Sequence, residues 1–477
     1  MLKTPFAILI LFIMAVFFVK NNHKGMVILV LISEINDLFV LNIVGVKLPV
    51  WAVIVIINIP WILSNYSKLL KEKIFSSLFY EYYYLIVLAI IFCFVFPWTS
   101  DVERAWNQGP IGRSMVSLIR LFCELMSLFY IYVLIASKKI KWVFLRNRFA
   151  IVVILSVIIA IIDYFTNYQF RHILFKVGDV PHRFLGFCGE PRFFGRTCLY
   201  TFVFFVCAFN TIEKKYTFSR KLILTACVVA CLGAFLSMSV SAIALLLLSI
   251  NIYTLLNLKK YFIFLTLVGT VLYFANINTF IKFDSNVQSR IDKISKGNEE
   301  DRINNEPVLF TRLEVFDRAA MNFLYNNKIY AVTGTGPNLI SIPASNYLSR
   351  RDKTIYKNQI NSVPHTGAIN VFARSGLIGL FLIVLFMFRI INASRKYKFS
   401  FQTIIIHSLI FLIIYDALYF MLIGISIGYF KLQLSKSISN SSCNTNNQNN
   451  NFYEPNQKKI RPIDKFVFEK YQGMTKC

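Results

Sequence analysis

The stretch MVSLIRLFCELMSLFYIYVLIA (115–136), followed by SKKIKWVFLRNR (137–148), decides the fold class. The first part is mostly apolar and exceeds the roughly 20 residues that an α-helix needs to cross a bilayer. The second part carries five basic residues and no acidic one, which is typical of a short cytoplasmic loop. Similar apolar runs recur along the chain, so the sequence predicts an all-α, polytopic membrane helix bundle.

The composition excludes an ordinary soluble domain. Of the 477 residues, 56% are hydrophobic and 16% are charged, whereas about 25% are charged in typical soluble domains. The net charge of +27 falls largely in short loops between predicted spans. It therefore indicates orientation in a lipid bilayer, and no nucleic-acid partner is expected. The N-terminus lacks a signal-peptide pattern, so Pro5–Val19 is interpreted as a first span.

The apolar runs predict about twelve spans. Their count is twelve or thirteen, because the first three are short and Glu34 and Asp37 interrupt the second. The predicted spans are 6–19, 26–45, 48–63, 83–98, 115–136, 149–165, 193–209, 222–236, 238–256, 261–277, 367–391, 403–415 and 417–431.

The loops between these spans predict the orientation of the bundle. The basic loops 138–148, 213–221 and 394–398 are expected to face the cytoplasm. The alternating loops then face outward, and the side of the N-terminus stays open. The predicted divisions are N-terminal membrane helices (1–277), a long outer loop (278–366), C-terminal membrane helices (367–431) and a cytoplasmic, disordered tail (432–477).

The long outer loop is expected to contain an amphipathic helix over LFTRLEVFDRAAMNFLY (309–325). Its predicted apolar face consists of Leu309, Leu313, Phe316, Ala320 and Phe323. Its predicted polar face consists of Thr311, Arg312, Asp317, Arg318 and Asn322. GTGPN (334–338) then predicts a turn, and the asparagine-rich stretch 437–451 predicts disorder.

Charged residues on the outer side are candidates for a binding site. In HRFLGFCGEPRFFGR (182–196), Arg183 precedes a Gly-Glu-Pro turn, and Arg192 and Arg196 enter the first turns of a span. Two interpretations of Arg192 and Arg196 are open. They extend toward lipid headgroups, or they form an anion site that the helix N-terminus reinforces.

Three further residues lie on the outer side. Arg312, considered alone, has the character of a solvated surface charge. His365 lies where the long loop re-enters the membrane, and Arg374 follows about 13 Å further along a helix. At that depth Arg374 must pair with an acid or line a polar cavity.

Arginines gathered over an apolar bundle suit a particular kind of ligand. The planar guanidinium binds phosphate through two hydrogen bonds, so a diphosphate with a long lipid tail would match both the charge and the bilayer. The nine cysteines form no CxxC pair, and no acidic or histidine cluster accompanies the arginines. No metal and no cofactor is therefore predicted.

The order of five motifs resembles the bacterial O-antigen polymerase and O-antigen ligase superfamily. The motifs are RFLGFCGEP (183–191), LSMSVSAIALLLL (236–248), TRLEVF (311–316), GTGPN (334–338) and HTGAINVFARSGLIGL (365–380). The resemblance covers roughly residues 180–392. It implies a GT-C-like glycosyltransferase of the inner membrane, with its active site at the periplasmic face and an undecaprenyl-diphosphate-linked oligosaccharide as donor.

The resemblance also implies roles for single residues. His365 would act as general base on the acceptor hydroxyl, since an unperturbed histidine has a pKa of about 6.5. Arg312 would bind the donor diphosphate, and Arg183, with Glu190 and the following proline, matches the polymerase pattern. By analogy Arg192, Arg196 and Arg374 would add to the binding site. Two positions depart from the family, which often has Asn at Thr366 and an acid at Arg374.

Three functions remain open from the sequence. A polymerase, which transfers a growing glycan onto the next lipid-linked repeat unit, is favoured by the RFLGFCGEP turn and expected to work with a chain-length regulator. A ligase would transfer finished polymer to lipid A–core. A lipid-linked oligosaccharide flippase would share the spans and arginines, but it would not need a folded outer segment of this length.

Overall fold

The computed structural model describes residues 2–43, 46–65, 73–95, 109–175, 184–213, 215–257, 306–349 and 364–448. Within them, Met1–Leu432 belongs to one compact unit. The α-helices are α1 (Thr4–Val19), α2 (His23–Ile35), α3 (Val50–Ile57), α4 (Ile59–Ser64), α5 (Ser76–Val95), α6 (Pro110–Ala136), α7 (Trp142–Phe165), α8 (Gln169–Leu174), α9 (Pro191–Phe209), α10 (Thr217–Leu236), α11 (Val240–Asn257), α12 (Val315–Asn326), α13 (Lys328–Thr333), α14 (Ser341–Ala344), α15 (Gly367–Ser394), α16 (Lys398–Ile413) and α17 (Leu418–Gln448). Short 3₁₀ helices span Lys73–Phe75, Val308–Arg312 and Ser345–Tyr347.

The helices confirm a multi-pass, all-α membrane protein. Seven helices of the described ranges are long and apolar enough to cross a bilayer: Lys73–Val95, α6, α7, α9, α10, α15 and Leu418–Ser435. Three shorter apolar helices, Thr4–Val19, Ser241–Asn257 and Lys398–Ile413, accompany them. The predicted span 261–277 lies outside the described residues.

The second and third predicted spans differ from the structure. Helix α2 stops at Ile35, where the Asn36 side chain bonds the Ile32 carbonyl at 2.8 Å. An antiparallel hairpin follows, with strands β1 (Val40–Ile43) and β2 (Val46–Pro49) in the register Val40↔Pro49. The chain becomes helical again after Pro49. Irregular backbone within a membrane is tolerated where it lines a cavity, and ten described residues between 33 and 52 line one.

Long apolar helices pack side by side in the bundle. α9 packs along α10, and α15 packs along both α5 and α16. Buried phenylalanines fill the interior, among them Phe149, Phe204 and Phe205. Near the far end of α15, Arg389 donates to the Ser76 hydroxyl at 2.6 Å, which places the start of α5 beside the basic loop 394–398.

The described part of the long outer loop, 306–349 and 364–366, is folded against α15. Its small core contains Ala319, Phe323, Leu324 and Ile340, and it continues into Ala373 of α15. The predicted amphipathic helix is present only as α12, preceded by a 3₁₀ turn.

The polarity predicted for that helix is confirmed for Ala320, Phe323 and Arg312 but is wrong for other residues. Asp317, Arg318 and Asn322, expected on a solvated face, are buried, whereas Leu309 is exposed. The reason is a carboxylate that the periodicity does not reveal. Glu306 accepts from Arg318 Nη2 at 2.6 Å and from Asn322 Nδ2 at 3.0 Å, so the polar side packs inward.

Two glycine-containing motifs meet where α15 is broken. Gly376 has φ +64° and ψ −164°, which interrupts the helix. The freed carbonyls are satisfied by the GTGPN turn, since Thr335 N donates to Ala373 O at 3.0 Å and Gly336 N to Arg374 O at 2.9 Å. A Cβ on Gly334 would lie 2.6 Å from Gly376 N. The backbone of the GTGPN turn is therefore in direct contact with the backbone of α15, and this contact fixes the position of Arg374.

The last helix is longer than expected. Helix α17 continues to Gln448, so residues 437–448, predicted to be disordered, are helical. Extension of an existing helix adds one hydrogen bond for each residue fixed, without the cost of nucleation.

Candidate functional site

A cavity of about 340 Å³ lies between the ends of four long helices. We call it the arginine cavity. Its walls are Val116, Ser117, Arg120, Leu121, Glu124, Phe193, Arg196, Asn338, Ile340, Pro364, His365, Asn370, Arg374 and Tyr415. Three of the predicted site residues, Arg196, His365 and Arg374, therefore come together here from distant parts of the chain.

The cavity lies at the end of the bundle opposite the basic loops. Its residues come from α6, from the first halves of α9 and α15, from the α16–α17 connection and from the outer segment. The basic loops 138–148, 213–221 and 394–398 follow the other ends of α6, α9 and α15. If those loops face the cytoplasm, the cavity faces outward.

Arg374 is buried and paired, as its depth predicts. Only 5% of the residue is exposed. Its Nη2 donates to Glu81 Oε1 on α5 at 3.0 Å, and its Nη1 lies 3.4 Å from the Tyr415 hydroxyl. The ion pair neutralises Arg374, while the guanidinium still forms part of the cavity wall.

Arg120 and Glu124 form a second ion pair, which Tyr415 connects to Arg374. The Tyr415 hydroxyl donates to Glu124 Oε2, and Glu124 Oε1 accepts from Arg120 Nε at 3.3 Å. Glu124 is 1% exposed, but the Arg120 side chain is 61% exposed and lines the cavity. Arg120 thus lines the cavity with a largely exposed side chain, while its Nε is held by Glu124.

Arg196 differs from these arginines. It is 5% exposed, and within the described residues it makes neither an ion pair nor a hydrogen bond; its Nε is a buried, unpartnered donor. Its guanidinium carbon lies 5.7 Å from the centroid of the Phe193 ring. The charges of Asp416 and Glu314 act on it, but neither forms a salt bridge with it. A buried guanidinium without a hydrogen-bonded carboxylate is costly, so this part of the cavity is suited to an anion.

His365 stands at the start of α15, where Asp317 fixes the backbone. Asp317 Oδ1 accepts from the His365 N–H at 2.7 Å, and Oδ2 accepts from the Thr366 hydroxyl at 2.6 Å. The Thr366 side chain, a departure from the family pattern, therefore has a partner of its own. Burial, with the nearby charges of Arg192 and Arg196, lowers the pKa of His365. The ring is neutral near pH 7 and able to accept a proton.

A second cavity of about 460 Å³ adjoins the first. We call it the carboxylate cavity. Its walls are Ser33, Glu34, Asp37, Leu38, Val40, Lys47, Leu48, Pro49, Trp51, Ala52, Val116, Arg120, Phe193, Thr197, Tyr415, Asp416 and Ala417. Four residues, Val116, Arg120, Phe193 and Tyr415, line both cavities.

The remaining predicted site residues lie elsewhere. Arg192 forms an ion pair with Glu190 at the start of α9, and its Nη1 lies 3.9 Å from Glu314 Oε2. Neither Arg192 nor Glu190 lines the arginine cavity, although Arg192 is next to its wall residue Phe193. Arg312 is exposed in its 3₁₀ turn and lines neither cavity. The buried arginine of that segment is Arg318. Arg183 lies outside the described residues.

The sequence interpretation missed Arg120, Glu124, Tyr415 and Asp416. Arg120 and Glu124 carried a usable signal, because charges spaced four apart within an apolar span indicate pairing or a polar cavity. Tyr415 and Asp416 lie in a short connection between two spans and carried no such signal.

Within the described residues, no group of three or more His, Cys, Asp or Glu side chains is arranged to hold a metal ion. No protein-family model matches the sequence, and no curated protein matches it. The resemblance to the O-antigen superfamily therefore stays a prediction.

Proposed function

We propose that the protein is a membrane glycosyltransferase that uses a polyprenyl-diphosphate-linked glycan as donor. The observation that carries the proposal is Arg196, a buried arginine with no ion pair or hydrogen bond to the described chain, in a cavity also lined by Arg120 and Arg374. A diphosphate would provide the missing negative charge and several acceptor oxygens. Its lipid tail would remain among the apolar helices.

The proposed reaction is the polymerization of an O-antigen or a related surface polysaccharide. The acceptor hydroxyl oxygen bonds to the anomeric carbon of the donor glycan. The bond from that carbon to the diphosphate oxygen breaks, and its electron pair leaves with the diphosphate. Arg196 and Arg120 stabilise this departing charge, and His365 takes the hydroxyl proton.

The proposal includes the cellular setting. The architecture would be GT-C-like with about twelve spans, in a bacterial inner membrane, with the arginine cavity facing the periplasm. A chain-length regulator would be a partner protein. The folded outer segment, which a flippase would not need, supports transfer over transport.

The test is the surface polysaccharide of a strain that lacks the gene, complemented with variants at equal expression. Arg196→Ala removes no hydrogen bond or ion pair from any described side chain, and His365→Ala leaves the backbone bonds to Asp317 in place. Both variants are expected to lose long chains. Arg395→Ala, an exposed arginine of a basic loop, is the matched control and is expected to retain them.

The deletion strain distinguishes the candidate functions. A polymerase is supported if long chains disappear while core bearing a single repeat remains. Loss of single repeats together with accumulation of lipid-linked polymer would indicate a ligase. Accumulation of single lipid-linked units in the cytoplasmic leaflet would indicate a flippase. Full activity of both variants would contradict the proposed site.

A further inference from the structure

The carboxylate cavity has a chemistry that the diphosphate does not explain. Glu34, Asp37 and Asp416 line it from two segments: Glu34 and Asp37 lie around the end of α2, and Asp416 lies in the α16–α17 connection. Negative side chains repel a diphosphate, so this cavity suits a different part of a substrate. The opposing charges on its walls are Lys47 and Arg120.

Each carboxylate has hydrogen-bonding capacity left. Glu34 is 8% exposed, and its Oε1 is buried without a partner in the described chain. Asp37 Oδ1 accepts from Gly189 N at 2.6 Å, and Asp416 Oδ1 accepts from Leu418 N at 3.0 Å. No hydrogen bond within the described residues uses the second oxygen of either aspartate. The cavity therefore offers acceptor oxygens on three of its lining side chains.

A cation is not the ligand that these acceptors suit best. Although the three side chains line one cavity, they are not close enough to form a metal-binding group within the described residues. Separated acceptors around a cavity suit a molecule with several hydroxyl groups. Burial raises the pKa of Asp37 to about 6 and also raises the pKa of Asp416. A carboxyl that is protonated part of the time also donates to a hydroxyl oxygen.

The common wall connects this cavity to the proposed reaction centre. Arg120, Phe193 and Tyr415 line both cavities, and the Tyr415 N–H lies 3.4 Å from the His365 carbonyl. A glycan in the carboxylate cavity would extend past this wall toward His365. The Phe193 ring offers an apolar surface to one face of a sugar.

We propose that the carboxylate cavity binds the glycan of the acceptor substrate, with Glu34, Asp37 and Asp416 accepting hydrogen bonds from its sugar hydroxyls. This inference rests on the proposed function, since it assigns the second substrate of the same transfer. The negative walls disfavour an acidic sugar at this place. The acceptor residue is therefore an uncharged sugar, and Glu34, Asp37 and Asp416 determine specificity for it.

Two probes separate the two cavities. The first is the repeat-unit oligosaccharide released from the lipid-linked intermediate by mild acid, which carries no diphosphate. The second is geranylgeranyl diphosphate, which carries no sugar. Dissociation constants for both are measured by saturation-transfer NMR with the full chain in nanodiscs.

The variants Glu34→Gln and Asp37→Asn are expected to weaken oligosaccharide binding about tenfold, the loss of roughly one charged hydrogen bond. Binding of geranylgeranyl diphosphate is expected to stay unchanged, which also shows that the variants are folded. Glu34→Gln keeps the size of the side chain and introduces no charge, so it is expected to leave folding intact. Arg196→Ala is expected to weaken binding of geranylgeranyl diphosphate and to leave oligosaccharide binding unchanged. Glu213→Gln, which changes an exposed acid in a basic loop, is the control and is expected to change neither.

The outcomes are distinguishable. If geranylgeranyl diphosphate binds in an Arg196-dependent way but Glu34→Gln and Asp37→Asn leave oligosaccharide binding unchanged, the acceptor assignment is wrong and the proposed function stands. If geranylgeranyl diphosphate binds but the unaltered protein does not bind the oligosaccharide, the acceptor assignment is likewise wrong and the proposed function stands. If neither probe binds, the proposed function itself is wrong.

Discussion

At the residue scale, the site is built from charges that differ in how they are balanced. Arg374 and Arg120 each form a salt bridge, with Glu81 and Glu124, while Arg196 forms none in the described chain. Paired arginines hold the walls in position at a modest net free energy, because Coulombic gain offsets desolvation. The unpaired arginine is the one whose charge is available to a substrate.

The Arg374–Glu81 pair predicts a stability effect. Arg374→Met leaves the Glu81 carboxylate buried without its cation and is expected to destabilise the protein by about 3–5 kcal/mol. Adding Glu81→Gln removes the stranded charge and is expected to recover most of that loss. Thermal unfolding in nanodiscs measures both variants. Equal unfolding temperatures for the single and double variants would show that the pair has no such role.

The environment of His365 predicts a pH dependence. A base must be neutral, and the pKa of His365 lies below its usual value because of burial and the positive charges of Arg192 and Arg196. Transfer activity is therefore expected to be constant near neutral pH and to fall as the pH drops through that lowered pKa. Arg192→Gln removes a charge that lowers the pKa, so the acid limb is expected to move to higher pH. A pH–rate profile that is identical in both proteins would contradict this account.

At the element scale, a break in a helix joins the outer segment to the bundle. Gly376 interrupts α15, and the freed carbonyls of Ala373 and Arg374 accept from the turn that contains Gly334. Asp317 of α12 binds the backbone just before the same helix. These two contacts position Arg374 and His365 relative to each other.

The helix break predicts the effect of a single methyl group. In Gly376→Ala the Cβ would lie 2.2 Å from the Val332 carbonyl oxygen, at a φ of +64° that disfavours alanine. We expect a loss of at least about 2 kcal/mol in stability, from the unfavourable φ and the backbone clash together. Gly189→Ala is the control, since its nearest atom is 3.5 Å away and its φ is not positive. Unfolding temperatures that match for the two variants would contradict the role of Gly376.

The sequence predicted the long elements well. The predicted spans 193–209 and 367–391 match Pro191–Phe209 and Gly367–Ser394, because sustained apolar length and a bounding proline or loop are local signals. The hairpin after α2 was missed because its apolar strands extended an apolar helical run. Strand pairing depends on a partner segment, which periodicity in one run does not reveal.

The site was predicted only in part, for a related reason. His365, Arg196 and Arg374 were found because charge at a membrane re-entry point is unusual in itself. Their partners come from elsewhere, since Glu81 lies 293 residues from Arg374 in the chain. A buried partner also reversed the expected polarity of Arg318, which pairs with Glu306.

At the scale of the whole molecule, the two cavities and the folded outer segment lie at one end of the bundle. Three basic loops follow the opposite ends of α6, α9 and α15. The geometry of the cavities does not determine which end of the bundle faces away from the cytoplasm. The charge of the loops predicts it, through the positive-inside rule.

This arrangement predicts accessibility. A cysteine placed at Leu309, which is 70% exposed in the outer segment, is expected to react with a membrane-impermeant maleimide in intact spheroplasts. A cysteine at Lys139, in the basic loop 138–148, is expected to react only after the membrane is opened. Both are introduced into a background in which the endogenous cysteines are replaced by alanine or serine. The reverse labelling pattern would place the cavities on the cytoplasmic side.

The central claim is that the arginine cavity handles a glycan carried on a lipid diphosphate. The most direct measurement is turnover by the purified protein in liposomes, supplied with the lipid-linked repeat unit alone. The account predicts lipid-linked chains of two or more repeats, with one undecaprenyl diphosphate released for each bond formed. It predicts neither product with Arg196→Ala. Failure of the unaltered protein to form longer chains or release undecaprenyl diphosphate would contradict the account.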